Sequence, residues 1–127
     1  MELYLVEDDE VYSEFISKSL SHKAYSVKPF YSAEDCLGAM QSLQPDAILI
    51  DYKLPGMNGI EFYEKIKNEI DEDKIKIILL SSIDDGNLVL DFIQKGIRDY
   101  VVKDEHVIDS LISIIEGKED DYYFFDE

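Results

Sequence analysis

Short runs of four to six apolar residues alternate along the chain with stretches whose apolar positions recur every three or four residues. The first spacing suits strands buried on both faces and the second suits helices covered on one side, so the pattern predicts five strand–helix pairs. The first strand is expected at Leu3 to Val6, followed by a helix from about Val11 to Leu20 with Val11, Phe15, Ile16 and Leu20 on one covered face. A second strand at Tyr25 to Phe30 leads to Ser32, which with Asp35 three residues later opens a helix running to about Leu43, and Pro45 closes that connection. Ala47 to Ile50 make the third strand and Ile60 to Ile70 the third helix, with Phe62, Ile66 and Ile70 inward. The fourth pair is Ile75 to Leu80 and Asp84 to Lys95, stopped by Gly96; the fifth is Tyr100 to Val102 and Val107 to Glu116. The third and fourth strands are apolar at nearly every position, as parallel strands covered on both faces are, and helical linkers are what parallel crossovers require. The expected fold is a doubly wound α/β sandwich.

Composition narrows this picture. The 127 residues suit one domain, and 46% apolar content fills one core without staples. Residues 1–116 are read as that domain. The composition changes abruptly in the closing EGKEDDYYFFDE, so 117–127 is read as an acidic aromatic tail or linker stub. With 29 acidic and 12 basic residues the formal charge is −17, which repels nucleic acid and anionic lipid and argues against direct binding of either. Cys36 is the single cysteine and falls within a helical apolar pattern, which excludes a disulfide framework and fits a reducing compartment. MELYLVEDDE lacks a basic leader, and no apolar run approaches the ~20 residues that span a bilayer. A cytoplasmic location is expected.

In an open parallel sheet, ligands sit at the carboxyl ends of the strands. Here those ends carry Glu7, Asp8 and Asp9 after the first strand, Asp51 after the third, Ser81 and Ser82 after the fourth, and Lys103 after the fifth. Carboxylates ~4 Å apart repel by about 4 kcal/mol per pair at an effective dielectric near 20, a large fraction of a domain's stability of roughly 5–15 kcal/mol. Such a cluster needs a cation between its members or must take up protons. Oxygen ligands without histidine or cysteine suit Mg²⁺ better than zinc. An acidic pocket with Mg²⁺, a hydroxyl and a lysine is a site for a phosphoryl group. Asp51 ends an apolar strand and is followed by the turn residues Pro55, Gly56, Asn58 and Gly59. That arrangement holds a carboxylate rigidly at the strand end yet within reach.

Four stretches, LVEDD (5–9), ILIDYKLPGMNG (48–59), ILLSS (78–82) and DYVVK (99–103), stand in the order and spacing of the receiver domain of two-component response regulators, which the chain resembles over residues 1 to about 116. The resemblance implies a doubly wound five-stranded parallel sheet in the flavodoxin-like order 2-1-3-4-5 with helices on both faces. It implies that Asp51 is the phosphoacceptor, that Glu7, Asp8, Asp51 and the backbone carbonyl of Lys53 hold Mg²⁺, that the Ser81 hydroxyl follows the phosphoryl group, and that Lys103 pairs with the phosphoryl oxygens. Tyr100 is the matching switch aromatic. Lys53 and Ile83 match the positions beside the path of a hydrolytic water, and neither supplies an acid or amide to orient it, so slow loss of phosphate is expected. The implied partners are a sensor histidine kinase or histidine phosphotransfer protein and a downstream protein or output domain; a phosphorylation-dependent homodimer is also compatible. Lys103 is followed by Asp104 where many receivers have proline, so no cis Lys–Pro bond is expected.

Other readings compete. A Mg²⁺-dependent phosphatase of the haloacid-dehalogenase type also forms an aspartyl phosphate, but it wants D-x-D after its first strand and usually a cap insertion, and this chain has EDD and no room for a cap. A pseudo-receiver would bind a partner without phosphorylation, yet the acceptor, acids, hydroxyl and lysine are all present. Taken singly, Asp8 reads as a helix cap, Asp51 as a loop acid, Lys103 as a surface lysine and Tyr100 as strand packing. Asp9 is assigned to the solvent-facing start of the first helix. No basic helix-turn-helix follows, which is compatible with a single-domain regulator or with the N-terminal piece of a longer protein.

Overall fold

The computed structural model describes residues 1–82 and 86–117, apart from the side chains of 86–89. Strands and helices alternate as β1 (Glu2–Val6), α1 (Glu10–Ser21), β2 (Ser26–Phe30), α2 (Ala33–Met40), β3 (Ala47–Asp51), α3 (Gly59–Ile66), β4 (Lys76–Ser81), α4 (Gly86–Gln94), β5 (Asp99–Val102) and α5 (Val107–Ile115). All five strands are parallel, in the order β2-β1-β3-β4-β5. The expected doubly wound sheet is therefore observed. β3 is buried at every position and β4 at all but its first, because helices cover both faces.

The two-residue period of the strands divides the core. Tyr4, Val6, Ile48, Ile50 and Leu79 pack on one side with Cys36, Phe62, Ile66 and Phe92 from α2, α3 and α4. Leu3, Leu5, Leu49, Ile78 and Leu80 pack on the other with Ile16 and Leu20 of α1 and Leu111 and Ile115 of α5. Burial pushes the Cys36 thiol up to about 12. At the edge, the amide of Ser26 donates to Met1 O and Phe30 O accepts from the amide of Glu7. These bonds turn alternate residues of β2 toward β1 and leave Pro29 at an outward-turned position.

The expected inner face of α1 is corrected. Val11 is 79% exposed and Phe15 48% exposed, and the buried line is Ser13, Ile16 and Leu20 with Tyr12 half-buried beside it. At ~100° per residue, Val11 lies about 140° around the helix from Ile16. Small Ser13 completes the stripe without an apolar signal. Two helices end sooner than their apolar spacing suggests: α2 stops at Met40, leaving Leu43 exposed, and α3 stops at Ile66, after which Ile70 packs on the core from outside the helix. Gly96, at φ +94°, follows α4 in the left-handed conformation that closes a helix. No peptide bond among the described residues is cis, Lys103–Asp104 included. Among the described residues no helix is long and apolar enough to cross a membrane.

Candidate functional site

Strand register brings the polar residues together. Val6 pairs with Ile50, so Glu7 leaves β1 alongside Asp51; Ser81 pairs with Val102, so Lys103 leaves β5 beside it. The amide of Lys103 donates to Ser81 O at 2.7 Å, fixing that junction, and the amide of Tyr52 donates to Leu80 O at 2.8 Å. Glu7, Asp51 and Ser81 are 1%, 5% and 4% exposed, whereas Asp8 is open to solvent.

The helix cap falls to Asp9. Its carboxylate accepts from the amides of Val11 and Tyr12 at 3.0 and 3.1 Å, as the solvent-facing reading of Asp9 expected. Asp8 is thereby left to the cluster: oxygens of Glu7, Asp8 and Asp51 lie within 4.8 Å of one another. Lys103 Nζ donates to Glu7 Oε1 at 2.5 Å and lies 3.1 Å from Asp51 Oδ1. Burial chiefly, with the neighbouring Asp51, raises the carboxyl pKa of Glu7 against the lowering influence of Lys103. For Lys103, burial opposes the ammonium, but the hydrogen bond to Glu7 and the charge of Asp51 outweigh it and raise the pKa. Glu7 and Asp51 thus share one ammonium with Asp8 beside them, and the set of oxygens, without histidine or cysteine, fits Mg²⁺.

The loop after Asp51 is held by its ends. The amide of Gly59 donates to Tyr52 O at 2.8 Å, and Asn58 caps α3 in a reciprocal box with Glu61, at 2.9 and 3.1 Å. A Cβ on Gly59 would come 2.6 Å from Asp51 O and 3.0 Å from Tyr52 Cα, so only glycine allows this close return. Lys53 lies inside the loop with its side chain exposed. Tyr100 is exposed on β5, with its ring 6.0 Å from that of Phe92. Ile83 and residues 118–127 of the expected tail lie outside the described residues.

One residue absent from the sequence reading stands at the cluster. The Tyr12 ring, on the first turn of α1, receives Lys103 Nζ at 4.5 Å from its centroid. Its spacing from the acids resembles no motif, and only the helix start set by Asp9 brings it there.

The chain matches the family model for the response regulator receiver domain over residues 3–116. It is 35% identical over 101 residues to the transcriptional regulatory protein AfsQ1 of Streptomyces coelicolor, a stretch covering 80% of this chain and 44% of that protein. It is 32% identical over 102 residues to the response regulator ArlR of Staphylococcus aureus, covering 80% and 45%. The chain therefore spans less than half the length of these relatives. Response regulator DrrB of Thermotoga maritima, an OmpR/PhoB homolog, superposes with a TM-score of 0.77 at 26% identity, over 92% of this chain and 53% of that one. With a family match across nearly all of the sheet and helices described above, the chain belongs to the response regulator receiver domain family.

Proposed function

We propose that the protein is a phosphorylation-controlled switch whose acceptor is Asp51. The carrying observation is the meeting of buried Asp51 with Lys103 at 3.1 Å inside a three-carboxylate cluster. A carboxylate oxygen of Asp51 attacks the phosphorus of a phosphohistidine on a kinase or phosphotransfer protein. The new P–O bond forms as the P–N bond breaks, and the imidazole leaves with the bonding pair. Glu7, Asp8, Asp51 and the Lys53 carbonyl would hold Mg²⁺, which would neutralise charge on the transferring group when bound. Lys103 shifts its hydrogen bonds from Glu7 and Asp51 to the phosphoryl oxygens, and the Ser81 hydroxyl donates to another of them.

Drawing Ser81 toward the phosphoryl group opens space that the Tyr100 ring fills, and the face of α4, β5 and α5 repacks. That face is read by a downstream protein, by an output domain or by a second copy. Residues 1–116 form the switch and 117–127 a tail or linker. The transcriptional role in AfsQ1's name supports an output in gene control, carried by parts of such proteins beyond the matched region.

Acetyl phosphate with Mg²⁺, followed by intact mass, tests the assignment. The parent should gain one acid-labile phosphate and Asp51→Asn none, with its fold intact by circular dichroism. Uptake by Asp51→Asn would place the acceptor on another carboxylate.

A further inference from the structure

We propose that Tyr12 is a positioning residue for Lys103, holding the ammonium over the acidic cluster through the face of its ring. The inference rests on the reading of Asp51 as phosphoacceptor and adds a residue that the site motifs do not contain. Lys103 Nζ is 4.5 Å from the Tyr12 ring centroid, within the range where the electron-rich face attracts a cation, and the Lys103 side chain is largely withdrawn from water. The Tyr12 main chain is itself pinned, because its amide donates to Asp9 Oδ1 at 3.1 Å.

Two observations separate this role from ordinary packing. A tyrosine hydroxyl withdrawn from water normally finds a partner, yet the hydroxyl of half-buried Tyr12 is itself buried with no hydrogen-bond partner among the described residues. The ring face, not the polar tip, makes the specific contact. The second observation is the charge around it: Lys103 already faces Glu7 and Asp51, with Asp8 within the same cluster. A further carboxylate on α1 would add repulsion and compete with an incoming phosphoryl group for the ammonium. An aromatic face attracts the cation without bringing an anion, so Lys103 stays in place and remains free to change partners.

Removing the ring should therefore slow phosphorylation, while removing the hydroxyl alone should not. The test compares acetyl phosphate labelling rates at fixed Mg²⁺ for the parent, Tyr12→Phe and Tyr12→Leu, together with the side-chain methylene NMR signals of Lys103. Tyr12→Phe should label within about twofold of the parent, and Tyr12→Leu roughly three- to tenfold more slowly, the span that loss of a partly desolvated cation–ring contact converts to. The Lys103 methylene protons should be shifted upfield by the ring in the parent and in Tyr12→Phe, and the shift should vanish in Tyr12→Leu. If Tyr12→Leu does not fold, Tyr12→Met keeps comparable bulk without the ring and is read in the same way. Parent-like labelling in the ringless variant, or Lys103 signals without a ring shift in the parent, overturns the proposal. Failure of the parent itself to take up phosphate overturns the acceptor reading instead, and the Lys103 signals then decide the contact alone.

Discussion

Adjacent carboxylates at the end of β1 take different work from the direction in which the chain leaves the strand. Asp9 caps α1 through two amides, whereas Asp8 stands with Glu7 and Asp51. Asp9→Ala should cost about 1 kcal/mol, the usual loss for a helix cap, and retain the rise in melting temperature on adding Mg²⁺. Asp8→Ala should lose most of that rise and no cap; thermal melts with and without Mg²⁺ check both. Cys36 gives a pH prediction. Its thiol ionises near 9 when unfolded and is pushed up to about 12 by burial, so the unfolded chain gives up a proton in a range where the folded one does not. The stability present below pH 9 should be lost progressively as pH rises from 9 through 12. Melting curves of Cys36→Ala should be flatter in that window.

Among the elements, two glycines should respond in opposite directions. Gly59 opens α3 where a Cβ would press on Asp51 O, so Gly59→Ala should cost about 1–3 kcal/mol and impair labelling of Asp51. Gly38 lies within α2 with nothing within 4 Å of an added Cβ, and Gly38→Ala should stabilise by roughly 0.5–1 kcal/mol. Urea midpoints of the two variants give the comparison. The strands were the most legible elements, because AILI and KIILL are apolar at nearly every position and admit little besides buried parallel strands. The meeting of Glu7, Asp8, Asp51 and Lys103 was legible too, since parallel strands deliver their carboxyl ends to one rim. The α1 face was misread because Val11 and Phe15 are apolar yet exposed, while the stripe is completed by polar Ser13. Asn58 with Glu61 three residues later carries a cap signal in the sequence that the surrounding turn residues Pro55, Gly56 and Gly59 mask. Tyr12 could not be read in advance, because a cation over a ring depends on the angle between α1 and the end of β5, which no local spacing records.

For the molecule as a whole, a formal charge of −17 means that folding draws like charges together. Raising NaCl from about 10 mM to about 300 mM shortens the Debye length from roughly 30 Å to under 10 Å, so the melting temperature should rise without any divalent ion. Differential scanning calorimetry in the two buffers measures this directly. The same charge disperses separate copies, but that repulsion is screened at high salt, and among the described residues the sheet ends in the edge strands β2 and β5. Pro29 gives one edge a protection that salt does not remove. At its outward-turned position in β2 it presents no N–H, so the row of donors that a foreign strand would need is interrupted. The opposite edge, β5, is only four residues long. Among the described residues neither edge offers a long template for cross-β growth, and this protection lies in the backbone, so it survives conditions in which electrostatic repulsion between molecules is lost.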